Sequence, residues 1–316
     1  MCDHAHVSRL PTMPSPLPVL LDCDPGHDDA VAILLAAGRP DAIELRAVTT
    51  VAGNAELEKV SLNARRVLTL AGVTDVPVAA GAAGPRRGDL MTALDVHGKS
   101  GLDGAELPEP AMELDPRGAL ELMADRGPAT VVATGPLTNV AELLERSPDT
   151  VEEIVWMGGS TVRGNTRPYA EFNALVDPEA AEIVFSSGKP LTMVGLNLTH
   201  QAQASPEVID RLRAVGNPAA QATVGWLSFF ADTYRTVYGF AGPPVHDACA
   251  VALLIDPSLV RSVETFVAIE TEGRWTRGAT AVDLHGRLGM APNARVAMEL
   301  DVDRFWNLVI GAIAAL

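Results

Sequence analysis

The stretch Val19-Leu20-Leu21-Asp22-Cys23-Asp24-Pro25-Gly26-His27-Asp28-Asp29-Ala30-Val31-Ala32-Ile33-Leu34-Leu35 limits the fold more than any other part of the chain. It opens as an apolar run of strand type that ends in Asp22 and Asp24. Pro25-Gly26 supplies a turn. A helical apolar pattern begins directly after Asp28 and Asp29. A strand that hands over to a helix within a few residues is the opening unit of an alternating α/β fold.

The alternation continues along the chain. Strands are expected at 43–51, 76–80, 130–134, 151–157 and 191–196. Helices are expected at 57–70, 118–125, 137–145 and 178–185, then over most of 206–238 with a break near Gly216-Asn217-Pro218, and at 245–255 and 302–316. Three further strands, 263–270, 279–283 and 294–300, read as edge elements. Such a pattern implies a mainly parallel sheet covered by helices on both faces, with ligands bound outside the carboxyl ends of its strands. The residues just past the expected strand ends are Asp24, Asn54, Thr134, Met157 with its glycines, and Asn197. Distant segments thus bring polar groups to one edge. The glycine-rich dinucleotide motif is absent there, which argues against a nicotinamide.

No repeat or linker divides the chain, and a single domain over 19–316 fits its length of 316 residues. Residues 1–18 carry Pro11, Pro14, Pro16 and Pro18 and no signal-peptide core, so a disordered leader is expected. The segment 81–113 is rich in Gly and Pro and holds Val96-His97-Gly98-Lys99-Ser100-Gly101-Leu102-Asp103-Gly104. A loop of that length inside a compact domain is usually functional.

Four carboxylates, Asp22, Asp24, Asp28 and Asp29, fall within eight residues. A helix N-terminus favours one or two nearby anions, but four repel one another unless a cation sits among them. Oxygen ligands without a Cys or His cluster point to a hard ion, Ca²⁺ or Mg²⁺. A solvated acidic helix cap is the plain alternative. An EF-hand loop does not fit, because the glycine falls at the fifth position and Ile33 stands at the twelfth. A Mg²⁺-dependent aspartate-nucleophile phosphatase also places Asp-x-Asp after a strand, but Gly26 stands where Thr or Val is usual there.

Composition narrows the partners. A formal charge of −16 argues against nucleic acid and against an anionic membrane surface. It also makes a phosphorylated substrate awkward and leaves a neutral small molecule acceptable. Apolar residues, at 47%, suffice for a sizeable core, and no apolar run is long enough to span a membrane. Cys2, Cys23 and Cys249 have neither metal nor disulfide spacing, which suits a reducing cytoplasm.

A second informative motif is Val245-His246-Asp247-Ala248, entered through Pro243-Pro244. Asp247 there either favours the helix dipole or serves as a distant metal ligand. Between the two motifs stand Thr49-Thr50-Val51-Ala52-Gly53-Asn54, Ala133-Thr134-Gly135-Pro136-Leu137-Thr138-Asn139, Met157-Gly158-Gly159, Asn165 and Glu171-Phe172-Asn173. The string Asp-x-Asp-Pro-Gly-x-Asp-Asp-Ala, together with these segments in this order, resembles the nucleoside hydrolases, the inosine–uridine preferring family. The resemblance runs from residue 19 to the C-terminal helix.

That resemblance implies a fold, a reaction and a set of residue roles. The implied fold is an open Rossmann-like sheet of the nucleoside hydrolase type. The implied reaction is hydrolysis of the N-glycosidic bond of ribonucleosides, in nucleoside salvage, by a homo-oligomer (dimer or tetramer). By the same resemblance, Asp24, Asp29, Asp247 and the Thr134 carbonyl hold Ca²⁺, whose shell is completed by the ribose 2′- and 3′-hydroxyls and a water. Asp24 takes the proton of the water that attacks C1′. Asp28 and Asn54 bind the sugar hydroxyls, Asn165, Glu171 and Asn173 hold the 5′-hydroxyl, and Met157 lies against the ribose. Nearby carboxylates stabilise the growing oxocarbenium charge.

For the leaving base, His246 is the candidate acid, because an imidazole titrates near neutrality. Tyr234 is a candidate for stacking or proton relay. His97 resembles a histidine of pyrimidine-leaning members. His27 departs from the small or aliphatic residue usual at its place and is expected at the solvent side. None of Trp156, Trp226, Trp275 and Trp306 has an evident place at the base, so a broad inosine/uridine or pyrimidine-leaning preference is expected. A catalytically silent nucleoside- or calcium-binding protein of the same fold is the further alternative.

Overall fold

A computed structural model describes residues 15–238, 240 and 242–316, with the side chains of 232–238 outside that description. Its strands are β1 (Leu17–Cys23), β2 (Ile43–Thr50), β3 (Val78–Ala80), β4 (Ala129–Ala133), β5 (Val151–Met157), β6 (Leu191–Val194), β7 (Val260–Thr265), β8 (Val267–Ile269), β9 (Thr280–Val282) and β10 (Ala294–Leu300). Eight of them form one sheet in the order β3-β2-β1-β4-β5-β6-β10-β7, and β8 and β9 pair apart from it. All neighbours in the sheet run parallel except β10 and β7, where Val296 faces Val263.

The parallel α/β expectation therefore holds, and the order β3-β2-β1-β4-β5-β6 is that of the doubly wound dinucleotide folds. Its direction reverses between β1 and β4, which opens a crevice past their carboxyl ends. Helix His27–Ala37 follows β1 at that crevice. Residues 27–36 of the helix are all buried, because helices 248–255 and 302–314 cover the side that the sheet does not. Burying Ile33, Leu34 and Leu35 stabilises the fold by about 1.5–3 kcal/mol each. Gly38 ends the helix with no Cβ because Ala312 occupies that space.

Several expectations need correction. Leu17 and Pro18 belong to β1 and not to a leader, while residues 1–14 lie outside the described residues. Pro18 is tolerated because β1 begins there. The strand expected at 191–196 stops at Val194, since Gly195 caps a short helix, Leu196–Thr199. The strand expected over 263–270 is two strands, broken at Phe266. β10 is not an edge strand, because β7 lies outside it. The loop over 81–113 contains one helical turn, Leu94–His97. Among the described residues no helix is long and apolar enough to cross a membrane.

Candidate active site

The ends of β1, β2, β4 and β5 converge on a cavity of about 590 Å³ whose walls include Asp28, Asn54, His97, Thr134, Met157, Asn165, Glu171, Asn173, His246 and Asp247. These are the residues singled out in the sequence, apart from two carboxylates just beneath the cavity and one tyrosine. Asp24 and Asp29 are fully buried directly behind it. Tyr234 has its side chain outside the described residues. Asn197 is the misplaced one: its amide donates to the Ala297 carbonyl at 2.8 Å and ties its helix to β10, away from the cavity.

Asp29 organises the floor. Its Oδ1 accepts from the Asp24 main chain at 3.2 Å and from Thr134 Oγ1 at 2.8 Å, and its Oδ2 accepts from the Gly26 main chain at 3.1 Å and from Asn54 Nδ2 at 3.2 Å. One carboxylate thereby fixes the ends of β1, β2 and β4 against each other. Asp24 Oδ2 accepts from the Asn54 main chain at 2.7 Å. Its Oδ1 is buried and has no hydrogen-bond partner among the described residues. Gly53 and Gly135 lie so close that a Cβ on either would collide with the Asp24 carboxylate, so both positions need glycine for reasons of space.

Asp28, Asp29 and Asp247 each offer an oxygen within 4.8 Å of the others. Asp28, expected to bind only sugar, thus stands inside the acidic cluster. Among the described residues no Lys or Arg pairs with these carboxylates. Burial, then repulsion from Asp29, lifts Asp24 well above the usual carboxylate range and Asp28 to about 7. Burial, then Asp28, Asp29 and Asp24 in turn, lifts Asp247 well above it. A buried cluster of carboxylates without a counter-charge, with the orphaned oxygen of Asp24 beside it, fits a hard divalent cation.

The far wall is built by the segment from Gly158 to Asn173. Thr280 Oγ1 donates to the Ser160 carbonyl at 2.6 Å and braces this segment from β9. Glu171 caps helix Phe172–Val176: its carboxylate accepts from the main chains of Gly159 at 2.9 Å, Asn173 at 2.9 Å and Ala174 at 3.1 Å. Burial raises it to about 7 despite those bonds. Asn165 Oδ1 accepts from the Phe172 main chain at 3.0 Å. Asn173 donates to the carbonyls of Thr134 at 2.8 Å and Met157 at 3.0 Å. The Thr134 carbonyl, with two lone pairs, keeps one for another partner.

On the remaining side stand the histidines. His246 precedes helix Ala248–Ile255, which starts three residues later than expected, and its Nδ1 lies 2.7 Å from Thr199 Oγ1. Burial pushes His246 down to about 3, so the ring is neutral at pH 7. His27 is fully buried, contrary to the solvent-side expectation, and packs against His97, Phe229 and Phe230. Thr199 and Phe230 escaped sequence reasoning. Thr199 sits just past an expected strand end, a signal that pointed to Asn197 instead. Phe230 lies one helical turn before Tyr234.

The chain belongs to the inosine-uridine preferring nucleoside hydrolase family, whose sequence profile matches residues 19–307. It is an enzyme of the ribonucleoside hydrolase class, which removes the phosphatase alternative. Among its relatives is the pyrimidine-specific ribonucleoside hydrolase RihA of Escherichia coli, 48% identical over 93% of this chain and 97% of the relative. Among solved structures it is similar to a purine-preferring ribonucleoside hydrolase from Gardnerella vaginalis, 32% identical with a TM-score of 0.87 over 94% of this chain and 98% of that one. It is also similar to the plant nucleoside hydrolase PpNRh1, 30% identical with a TM-score of 0.87 over 95% and 100%.

Proposed function

We propose that this enzyme is a calcium-dependent, pyrimidine-leaning ribonucleoside hydrolase of nucleoside salvage. The observation that carries the reading is Asp24 Oδ1, a buried carboxylate oxygen with no hydrogen-bond partner among the described residues, beside the acidic cluster. Asp24, Asp29, Asp247 and the Thr134 carbonyl would hold Ca²⁺, with Asp28 beside them. The ion, when bound, offsets the clustered negative charge and polarises oxygens of the sugar and of water.

The protein's own groups do the rest. Asp24 accepts a proton from the water as its oxygen bonds to C1′, and the C1′–N bond breaks with its electron pair going to the base. Asp28 and Asn54 orient the sugar hydroxyls. Asn165, Glu171 and Asn173 border the 5′ end, and Met157 lies against the ribose. Buried carboxylates favour the positive charge that grows on the sugar only toward the transition state. His246 attends the departing base. As a neutral ring held by Thr199, it acts there by hydrogen-bond donation, and Tyr234 remains the candidate relay.

The pyrimidine lean draws on RihA, the relative with 48% identity, and on His97 and His246 in the cavity wall. No tryptophan lines the cavity among the described residues: Trp156, Trp226 and Trp306 are buried elsewhere and Trp275 is exposed. Buried free thiols at Cys23 and Cys249 suit a reducing, cytoplasmic setting. Assembly as a homo-oligomer belongs to the same reading.

The test is ribose release from uridine, cytidine, inosine, adenosine and guanosine, with and without EDTA. Faster release from uridine and cytidine, abolished by the chelator and restored by Ca²⁺, is expected. Release that is indifferent to the chelator, or fastest from purines, defeats the corresponding half of the reading.

A further inference from the structure

Thr280 takes no part in the chemistry above, yet its hydroxyl is committed to the wall that borders the 5′ end of the sugar. Its Oγ1 accepts from the Ser160 main chain at 2.9 Å and donates to the Ser160 carbonyl at 2.6 Å. Both residues are buried. One side chain thus satisfies both main-chain polar groups of Ser160, away from water. A valine would fill the same space and satisfy neither, because only the hydroxyl both donates and accepts.

Gly159, the residue before Ser160, is held from two further sides. Its carbonyl accepts from the Leu196 main chain at 2.9 Å, just past the end of β6. Its φ is 70°, and a Cβ there would lie 2.6 Å from Thr280 Cγ2. Conformation and space therefore both require glycine. Fixed in this way, the Gly159 N–H donates to Glu171 Oε2 at 2.9 Å. Glu171 lines the cavity beside Asn165 and Asn173. The contacts run without a gap from Thr280 through Ser160 and Gly159 to that carboxylate.

The hairpin that carries Thr280 is itself anchored. β8 and β9 stand apart from the main sheet, with Ile269 facing Thr280. The Asn293 amide donates to the carbonyls of Val267 in β8 at 2.9 Å and of Phe185 at 3.1 Å. At the turn, Arg277 makes two bonds of 2.7 Å to Glu179. Both ends of the hairpin are thereby tied to helix Pro178–Phe185. Between them Ala279 bridges to Ala170, and a Cβ on Gly278 would lie 2.7 Å from Leu175 Cα. A fixed frame presses on the segment that carries Glu171.

We propose that Thr280 is a positioning residue that, through Ser160 and Gly159, holds the Glu171 carboxylate where a ribose 5′-hydroxyl reaches it, and so sets how strongly the enzyme favours substrates that carry that hydroxyl. The inference rests on the reading of Glu171 as a neighbour of the 5′ end and extends it to a residue on a separate hairpin.

The test compares kcat/KM on uridine and 5′-deoxyuridine with Ca²⁺ present, and follows amide hydrogen exchange of the peptide spanning 156–174 by mass spectrometry. The wild-type enzyme should favour uridine. Thr280→Val should lower that preference by about tenfold, within the worth of one hydrogen bond to a charged group, through loss on uridine alone. Exchange in the peptide should quicken. Thr280→Ser, which keeps the hydroxyl, should retain the wild-type preference and exchange. Thr280→Ala removes the hydroxyl without the second methyl and serves the same comparison if Thr280→Val does not fold. An unchanged preference in a folded hydroxyl-free variant overturns the proposal. Equal losses on both substrates also overturn it, since Thr280 is then only structural. A wild-type preference near one strikes the placing of the 5′ end at Glu171, and exchange then decides the rest. Faster exchange in Thr280→Val but not in Thr280→Ser keeps Thr280 as the residue that positions Glu171, and unchanged exchange overturns it.

Discussion

The Asn173 side-chain amide donates to the Thr134 main-chain carbonyl at 2.8 Å and joins the end of β4 to helix Phe172–Val176 across the cavity. The same amide reaches the Met157 carbonyl at 3.0 Å. Asn173→Ala leaves two buried carbonyls without that donor, and each loss is worth about 1–3 kcal/mol. We expect a lower melting temperature together with a fall of about a hundredfold in kcat/KM on uridine, because the wall that borders the sugar shifts. Thermal melts and initial rates on the same preparation check both.

Asp24→Asn keeps an acceptor for the Asn54 main chain but removes the carboxylate proposed as the base. The expected fall in kcat is about 10²–10⁴, the usual worth of general-base help. The fold should survive, because the Asn54 contact at 2.7 Å is retained. Steady-state rates with circular dichroism as the folding control decide the point, and wild-type turnover in Asp24→Asn would remove Asp24 from that role.

Cation removal should show in stability as well as in rate. An ion that binds only the folded state at a hundred times its Kd adds about 2.7 kcal/mol. The melting temperature should therefore rise on titration with Ca²⁺ and fall with EDTA. Asp247→Asn should shrink that rise, because it removes one carboxylate of the trio within 4.8 Å. Scanning calorimetry across a Ca²⁺ series is the measurement, and an unshifted wild-type melt would count against the site.

Glu171 sets a pH signature of its own. Burial raises its carboxyl from 4.5 to about 7. A folded-state pKa above the unfolded one means the group's favourable contribution is complete below pH 4.5 and is lost as pH rises toward 7. The wild-type enzyme should lose up to roughly 3 kcal/mol across that window from this group, and Glu171→Gln should flatten the slope. Urea midpoints between pH 4.5 and pH 8 read it directly, and an equal slope in both proteins would refute the assignment.

The strand–turn–helix run around Asp24 was legible because each of its parts has its own local chemistry: apolar strand, Pro-Gly turn, acidic first helical turn. Distant partners such as Asp247 and Asn173 became legible only through their order along the chain, since their spacing from Asp24 carries no geometric information. Asn197 shows the limit. It follows a strand end as Thr134 does, but Gly195 starts a helix early and turns its amide toward β10. His27 shows another limit, because nothing within the motif reveals that a loop some seventy residues later folds over it. Glu171 reads in the sequence as a sugar ligand, and its three main-chain bonds show that it also caps a helix.

β10 lies between β6 and β7, joined in parallel to one and antiparallel to the other. During synthesis β7 leaves the ribosome roughly thirty residues before β10 does, and until then it has no strand in the main sheet to pair with. That half of the sheet is completed only late in translation, so a chain interrupted after β9 would present two unpaired strand edges, β6 and β7, to other unfinished chains as templates for aggregation.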